Sequence, residues 1–290
     1  MHIRIVSPSG AIDPQYIDSA AARLVSWGHT VSVAEHAKDA WGRFAATDND
    51  RLADLVASLR DDNVDAVLCS RGGYGLQRIL PQIAAIPLTK PIIGFSDITA
   101  LHQLAALAGQ PSLHGIMCKH ISSLPEGSEV LNMYRKALLS TDLHYCLPSH
   151  PLDRKGCVSG VLTGGNLSVL YGLQGTPYGL SNTIGDNAVL FLEDISERHY
   201  HIDRMMRNLN MSGVLSRIKG LVVGRFADCD DDPSMKETVY ETIMSAVSCY
   251  SYPVLFDFPA GHIDDNFPLW FGRRVTLSVD SAHASLDYVC

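Results

Sequence analysis

Short apolar runs that stop at glycine or serine, each followed by an amphipathic segment, recur through the first part of the chain and restrict its fold more than any other feature. His2 to Val6 is the first run, closed by the turn Ser7-Pro8-Ser9-Gly10. Asp13-Pro14 then opens a helix to about Trp27, with Ile17, Ala20, Ala21 and Leu24 at helical spacing and Gly28 ending it. Thr30 to Val33 is the next strand, and Asn49 to Leu59 is a helix carrying Leu52, Leu55, Val56 and Leu59 on one face. Asp65 to Cys69 leads into Arg71-Gly72-Gly73-Tyr74-Gly75, and a short helix begins over Leu76 to Leu80. Pro91 to Gly94 leads into Ser96-Asp97 and a helix from Asp97 to about Leu107. Strand and helix alternating through short connections specify a parallel sheet with helices on its faces.

A weaker stretch follows. Asn132 to Leu139 reads as helical and Leu147-Pro148-Ser149-His150-Pro151 as a linker, which divides the chain into 1–148, a linker 149–159, and 160–290. The second part offers a strand at Gly160 to Thr163, the turn Gly164-Gly165, and a helix from Asn166 to Leu173. Asn187 to Leu192 is a buried strand ending at Glu193-Asp194, and Gly220 to Val223 is another. Ile202 to Leu209 and Ser234 to Val247 read as helices, and Arg274 to Val279 with Ser285 to Val289 alternate like an antiparallel pair. The expected fold is α/β: an N-terminal parallel-sheet domain plus a C-terminal mixed α/β domain with antiparallel C-terminal strands.

Composition narrows the function. A net charge of −8 without clustered Lys and Arg argues against nucleic acid as a partner. No stretch approaches the roughly 18 apolar residues of a membrane span, and the start MHIRIVSPSG has no apolar core of a signal peptide. The seven cysteines (69, 118, 146, 157, 229, 249 and 290) are scattered and show no CxxC, as suits reduced thiols rather than a disulfide frame or zinc site. A cytoplasmic protein is expected.

Polar or glycine residues stand just past the ends of four strands, where open α/β sheets bind ligands. At Arg71-Gly72-Gly73-Tyr74-Gly75 the glycines let backbone N–H groups face a ligand, or simply make a turn. A dinucleotide fingerprint fails there, because Arg78 stands where GxGxxG needs its third glycine. Ser96 is either a nucleophile at a tight turn or, with Asp97, a helix cap; the GxSxG pattern is absent. Glu193 is either a cap or the orienting partner of a histidine. His199-Tyr200-His201 reads as metal ligands or as a solvated helix start, the spacing lacking further ligands. His262, following Phe258-Pro259-Ala260-Gly261, can reach a loop site. Together Ser96, Glu193 and His262 form a workable set: His262 takes the serine proton, Glu193 fixes the imidazole tautomer, and backbone N–H groups receive the oxyanion. A serine hydrolase therefore stands beside the capping readings.

The chain resembles the LD-carboxypeptidases, the serine peptidase family that includes muramoyltetrapeptide carboxypeptidase and the microcin C self-immunity peptidases. The resemblance is carried in order by IVSPSG, RGGYG (71–75), GFSDITALH (94–102), GVLTGGNLSVL (160–170), GTPY (175–178), VLFLEDISERHYHIDRMM (189–206), VVGRFADC (222–229), FPAGH (258–262) and PLWFG (268–272). It implies a Ser96–Glu193–His262 triad in a cleft between the two domains, with the N–H groups of Gly73 and Asp97 as oxyanion donors. It implies substrate contacts from Gly164-Gly165-Asn166 and from Arg204, no metal or organic cofactor, and a homodimer. The reaction implied is release of terminal D-alanine from the L-centre of lysine or meso-diaminopimelate in a murein tetrapeptide. Tyr178 stands where some relatives carry Trp after Gly-Thr-Pro, which bears on substrate preference. Two other readings are a microcin-immunity peptidase acting on peptidyl or aminoacyl nucleotides, and a non-catalytic α/β ligand-binding protein.

Overall fold

A computed structural model describes residues 1–289; the last of the seven cysteines, Cys290, lies outside the described residues. The chain forms two compact units, Met1–Arg135 with Phe267–Leu269, and Lys136–Asn266 with Trp270 onward.

Unit 1 contains β1 (His2–Val6), β2 (Thr30–Val33), β3 (Ala66–Cys69), β4 (Ile92–Gly94) and β5 (Ser112–His114). Between and after them come α1 (Pro14–Ser26), α2 (Asp48–Arg60), α3 (Leu76–Ala84), α4 (Thr99–Leu107) and α5 (Cys118–Ser123). Pairs β2–β1, β1–β3, β3–β4 and β4–β5 are all parallel, as the alternation requires. Beyond β5 the sheet is completed by Leu269–Phe271, supplied late in the chain. The α1 boundary follows its residues: Asp13 accepts from Gln15 N–H as N-cap, Pro14 needs no donor at N1, and Gly28 turns the chain at φ 90°. Central β3 is buried along its whole length, which is why AVLC is apolar throughout, whereas edge strand β2 is half exposed.

Helix α6 (Glu129–Leu139) leads toward unit 2, which adds β6 (His144–Pro148), β7 (Gly156–Asn166), β8 (Ala188–Ile195), β9 (Ile218–Ala227) and β10 (Val254–Leu255). The Leu269–Phe271 strand is β11, and β12 (Arg274–Val279) and β13 (His283–Tyr288) end the chain. Its helices are α7 (Leu167–Gly172), α8 (Leu180–Thr183), α9 (His199–Met211), α10 (Val214–Arg217) and α11 (Val239–Ala246). The seven-stranded sheet runs β10-β9-β8-β7-β12-β13-β6, parallel from β10 to β7 and antiparallel beyond. A core of Leu190, Leu192, Leu221 and Val223 from β8 and β9 packs with Ile202, Met206 and Leu209 of α9 and Ile243 of α11.

Two sequence expectations change. The expected linker does not begin after 148 as a free connection: β6 already pairs with β13, and β7 starts at Gly156, so both lie in the second sheet. Pro148 misled, since it ends an edge strand where no ladder donor is needed. The helix expected from Ser234 starts only at Val239, because Lys236 adopts φ 64° and a Thr238–Glu241 capping box begins the helix. Among the described residues no helix is long and apolar enough to cross a membrane.

Candidate active site

In unit 1, β4 ends at Gly94 and passes through Phe95 to a single 3₁₀ turn, Ser96–Ile98, that leads into α4. Ser96 sits at φ 66°, a left-handed conformation that stores roughly 1–3 kcal/mol in a residue with a Cβ. Its neighbours hold it there. A Cβ on Gly72 would lie 2.7 Å from Ser96 Cβ and 3.0 Å from Oγ, so only glycine lets the Arg71-Gly72-Gly73 turn close on the serine. Buried His102 of α4 donates Nε2–H to the Gly94 carbonyl at 2.9 Å. A carbonyl can only accept, so the proton is on Nε2, and Nδ1 meets Ser112 Oγ at 2.8 Å. Burial depresses the His102 pKa to about 4 and keeps the ring neutral in this role.

The Asp97 side chain turns inward. Its Oδ2 accepts from Ser9 Oγ–H at 2.6 Å and from Leu76 N–H at 3.0 Å, the first residue of α3, whose own N-cap Gly75 has no side chain to offer. One carboxylate thus ties the 7–10 turn, the glycine turn and the serine turn together, and burial pushes its pKa up against the pull of those two bonds. The backbone N–H groups of Gly73 and Asp97 make no hydrogen bond among the described residues. Asp97→Ala strands a buried hydroxyl and a buried N–H, so unfolding in urea should show a loss of about 2–4 kcal/mol. An unchanged midpoint would mean water replaces the carboxylate.

In unit 2, Glu193 is fully buried on β8, and its Oε2 accepts from His262 Nδ1 at 2.7 Å. Oε1 has no partner among the described residues, so the desolvated charge acts mainly through the imidazole. Burial lowers the His262 pKa, but the Glu193 charge and hydrogen bond, with Asp194 behind them, outweigh it and leave the pKa raised. With Nδ1–H committed to Glu193, Nε2 carries the lone pair. The loop bearing His262 is sewn to β9, since Val223 O accepts from Phe258 N–H and Ala260 O from Arg225 N–H. Gly261 at φ 129° leaves room for Glu193 Oε2, which a Cβ would meet at 2.9 Å.

The remaining expected residues fall as follows. Asn166 is buried as the N-cap of α7, accepting from Val169 N–H, while its Nδ2 donates to Asp194 Oδ1 at 2.8 Å. Asp194 also accepts from Ser168 N–H and Ile195 N–H, and burial beside Glu193 raises its pKa to about 7. Arg204 is exposed on α9 with its guanidinium 5.5 Å from the Tyr200 ring. Tyr178 is half-buried after the Thr176 turn. The His199-Tyr200-His201 helix start is solvated at Tyr200 but not at His199, which is buried, bonds Thr242 Oγ1 at 2.7 Å and accepts from Asp232 N–H. His201 pairs with Glu197. Among the described residues no group of His, Cys, Asp or Glu could hold a metal ion. Sequence reasoning missed the Asp97 and Asp194 side chains. The one available signal was Gly75, which leaves α3 without its own cap.

The LD-carboxypeptidase N-terminal domain profile matches residues 3–115, and the LD-carboxypeptidase C-terminal domain profile matches 159–277. A "Probable murein peptide carboxypeptidase" of Bacillus subtilis is 31% identical, over 98% of this chain and 91% of its own. The murein tetrapeptide carboxypeptidase of Pseudomonas aeruginosa is 28% identical over 95% and 92%. The crystal structure of muramoyltetrapeptide carboxypeptidase from Oxalobacter formigenes superposes with a TM-score of 0.88 at 28% identity, covering 100% of this chain and 99% of that one. The microcin C7 self-immunity protein shares the fold, with a TM-score of 0.83 at 19% identity over 99% and 95%. The chain, matched by both domain profiles and by full-length relatives, belongs to the LD-carboxypeptidase family.

Proposed function

We propose that the protein is a serine LD-carboxypeptidase that releases terminal D-alanine from murein tetrapeptides in cell-wall recycling. The Glu193–His262 pair carries this reading: a histidine with Nδ1–H fixed on a buried carboxylate has a basic Nε2 suited to take a serine proton. Ser96 attacks the carbonyl of the diamino acid, His262 takes its proton, and the N–H groups of Gly73 and Asp97 receive the oxyanion. The imidazolium then protonates the leaving amine of D-alanine, and water hydrolyses the acyl-enzyme by the reverse proton path. The triad has no need of a metal or organic cofactor. Asn166, Arg204 and Tyr178 are proposed to contact the peptide. The nucleotide-conjugate reading gains only a shared fold from its 19% identity. The six described cysteines are all free, which supports a reducing, cytoplasmic location, and the assembly proposed is a homodimer.

The test is D-alanine release from a murein tetrapeptide, followed across pH. The base must be neutral, so the acidic limb of kcat/KM should have its midpoint above the ordinary histidine value of about 6.5. Stability moves the other way. The raised folded pKa makes the His262–Glu193 contribution complete below about pH 6.5 and lost as pH rises through the folded value. A rate profile flat from about pH 5 to 8 would remove His262 as base.

A further inference from the structure

We propose that a cavity in unit 1 walled by Arg43 and Arg71 receives the free terminal carboxylate of the peptide, and so makes the site an exopeptidase; this rests on the peptidase reading above. The cavity measures about 370 Å³, and Gly10, Ala11, Arg43, Arg71, Gly73 and Tyr74 are among its lining residues. Its walls are tied backbone to backbone. Trp41 and Phe44 exchange hydrogen bonds at 2.8 and 3.1 Å across a turn that places Gly42 and Arg43 at its tip. Arg43 O accepts from Ala11 N–H at 3.1 Å, and Gly72 O accepts from Gly10 N–H at 3.1 Å. Gly72 in turn closes on Ser96, and Gly73 belongs both to the cavity and to the turn proposed to hold the oxyanion.

The charges make the cavity anion-selective. Nearby Arg51 and Arg78 share the Asp48 carboxylate, and their guanidiniums lie 5.1 and 5.2 Å from the centre of the Phe44 ring. Arg43 and Arg71 have no such partner. Arg71 donates one N–H to Ala11 O at 2.7 Å, and neither arginine makes an ion pair among the described residues. Two guanidiniums without an ion-pair partner line one cavity in a chain of net charge −8, which makes that cavity locally positive. A guanidinium fork fits a carboxylate bidentately. In a peptide the terminal carboxylate is bonded to the same carbon as the scissile nitrogen, so a group held beside Gly73 is within one residue of the oxyanion.

The experiment compares meso-diaminopimelate and lysine tetrapeptides, each with its C-terminal amide, using wild type, Arg43→Gln and Arg71→Lys. Wild type should prefer the free acid, and Arg43→Gln should lower kcat/KM for the acid about 10- to 100-fold, mainly through KM, while sparing the amide. Arg71→Lys keeps the charge and should lose less than Arg43→Gln. Arg43 makes no side-chain bond within the described residues, so its variant folds normally by thermal melt. In parallel, N-acetyl-D-alanine and its amide are titrated by NMR into Ser96→Ala, with and without Arg43→Gln. Selective loss of acid binding supports the proposal even if wild type releases no D-alanine, an outcome that would sink only the peptidase reading. An acid-to-amide ratio untouched by Arg43→Gln overturns it. Loss of discrimination between diaminopimelate and lysine peptides, with that ratio intact, also overturns it by assigning the cavity to a side-chain carboxylate.

Discussion

Ser96→Ala and His262→Ala should each lower D-alanine release by roughly 10⁵- to 10⁶-fold, and the double variant should be no worse than either single one. In the proposed mechanism the two groups act in one proton transfer, so removing either removes the whole path. Both variants should fold, with His262→Ala the less stable because it leaves the buried Glu193 carboxylate without its imidazole partner. Alanine keeps the Cβ that already tolerates φ 66° at position 96, and His262 is held mainly by a loop whose backbone bonds do not involve its ring. Ser96→Gly should be inactive yet more stable by about 1 kcal/mol, because it relieves the left-handed strain. Turnover of Ser96→Ala within tenfold of wild type, with no contaminating peptidase, would rule out the serine mechanism.

Gly72→Ala should also lower turnover, by about 100-fold, although its side chain has no chemistry. The new methyl would stand 2.7 Å from Ser96 Cβ and 3.1 Å from Phe95 O. Neither is the end of a flexible side chain, so the serine turn itself must move. A displacement on the order of 1 Å costs about 100-fold in turnover, and the loss should fall on kcat rather than KM. Gly28→Ala is the control: its Cβ meets nothing within 4 Å, and only its φ of 90° is unfavourable. It should cost about 1 kcal/mol of stability and no such turnover. Full activity in Gly72→Ala would show that the nucleophile does not depend on that close approach.

How much the sequence discloses depends on what each signal encodes. AVLC and AVLFLEDI are legible as strands because burial on both faces forces an unbroken apolar run. HYCLP is not, since an edge strand faces solvent on alternate residues and its proline can sit harmlessly at the end. β5 and β10 are too short for any period to show. At the site, Ser96, Glu193 and His262 are legible as polar residues closing apolar strands. The inward turn of Asp97 is not, because an aspartate at a helix start more often caps its own helix than one from another segment. His199 shows the same limit: a histidine at a helix start reads as solvated, and only tertiary packing reveals Thr242 and Asp232 around it.

The late arrival of β11 has a consequence for biosynthesis. A ribosome that has released residues 1–135 has made five of the six strands of the first sheet, with β5 at an open edge. Unpaired edge strands recruit other chains, and domains otherwise fold as they emerge. Here β5 stays an uncovered edge until residues 269–271 are translated, after both Glu193 and His262. A chain truncated before that point should keep β5 as an open edge, prone to pair with other chains.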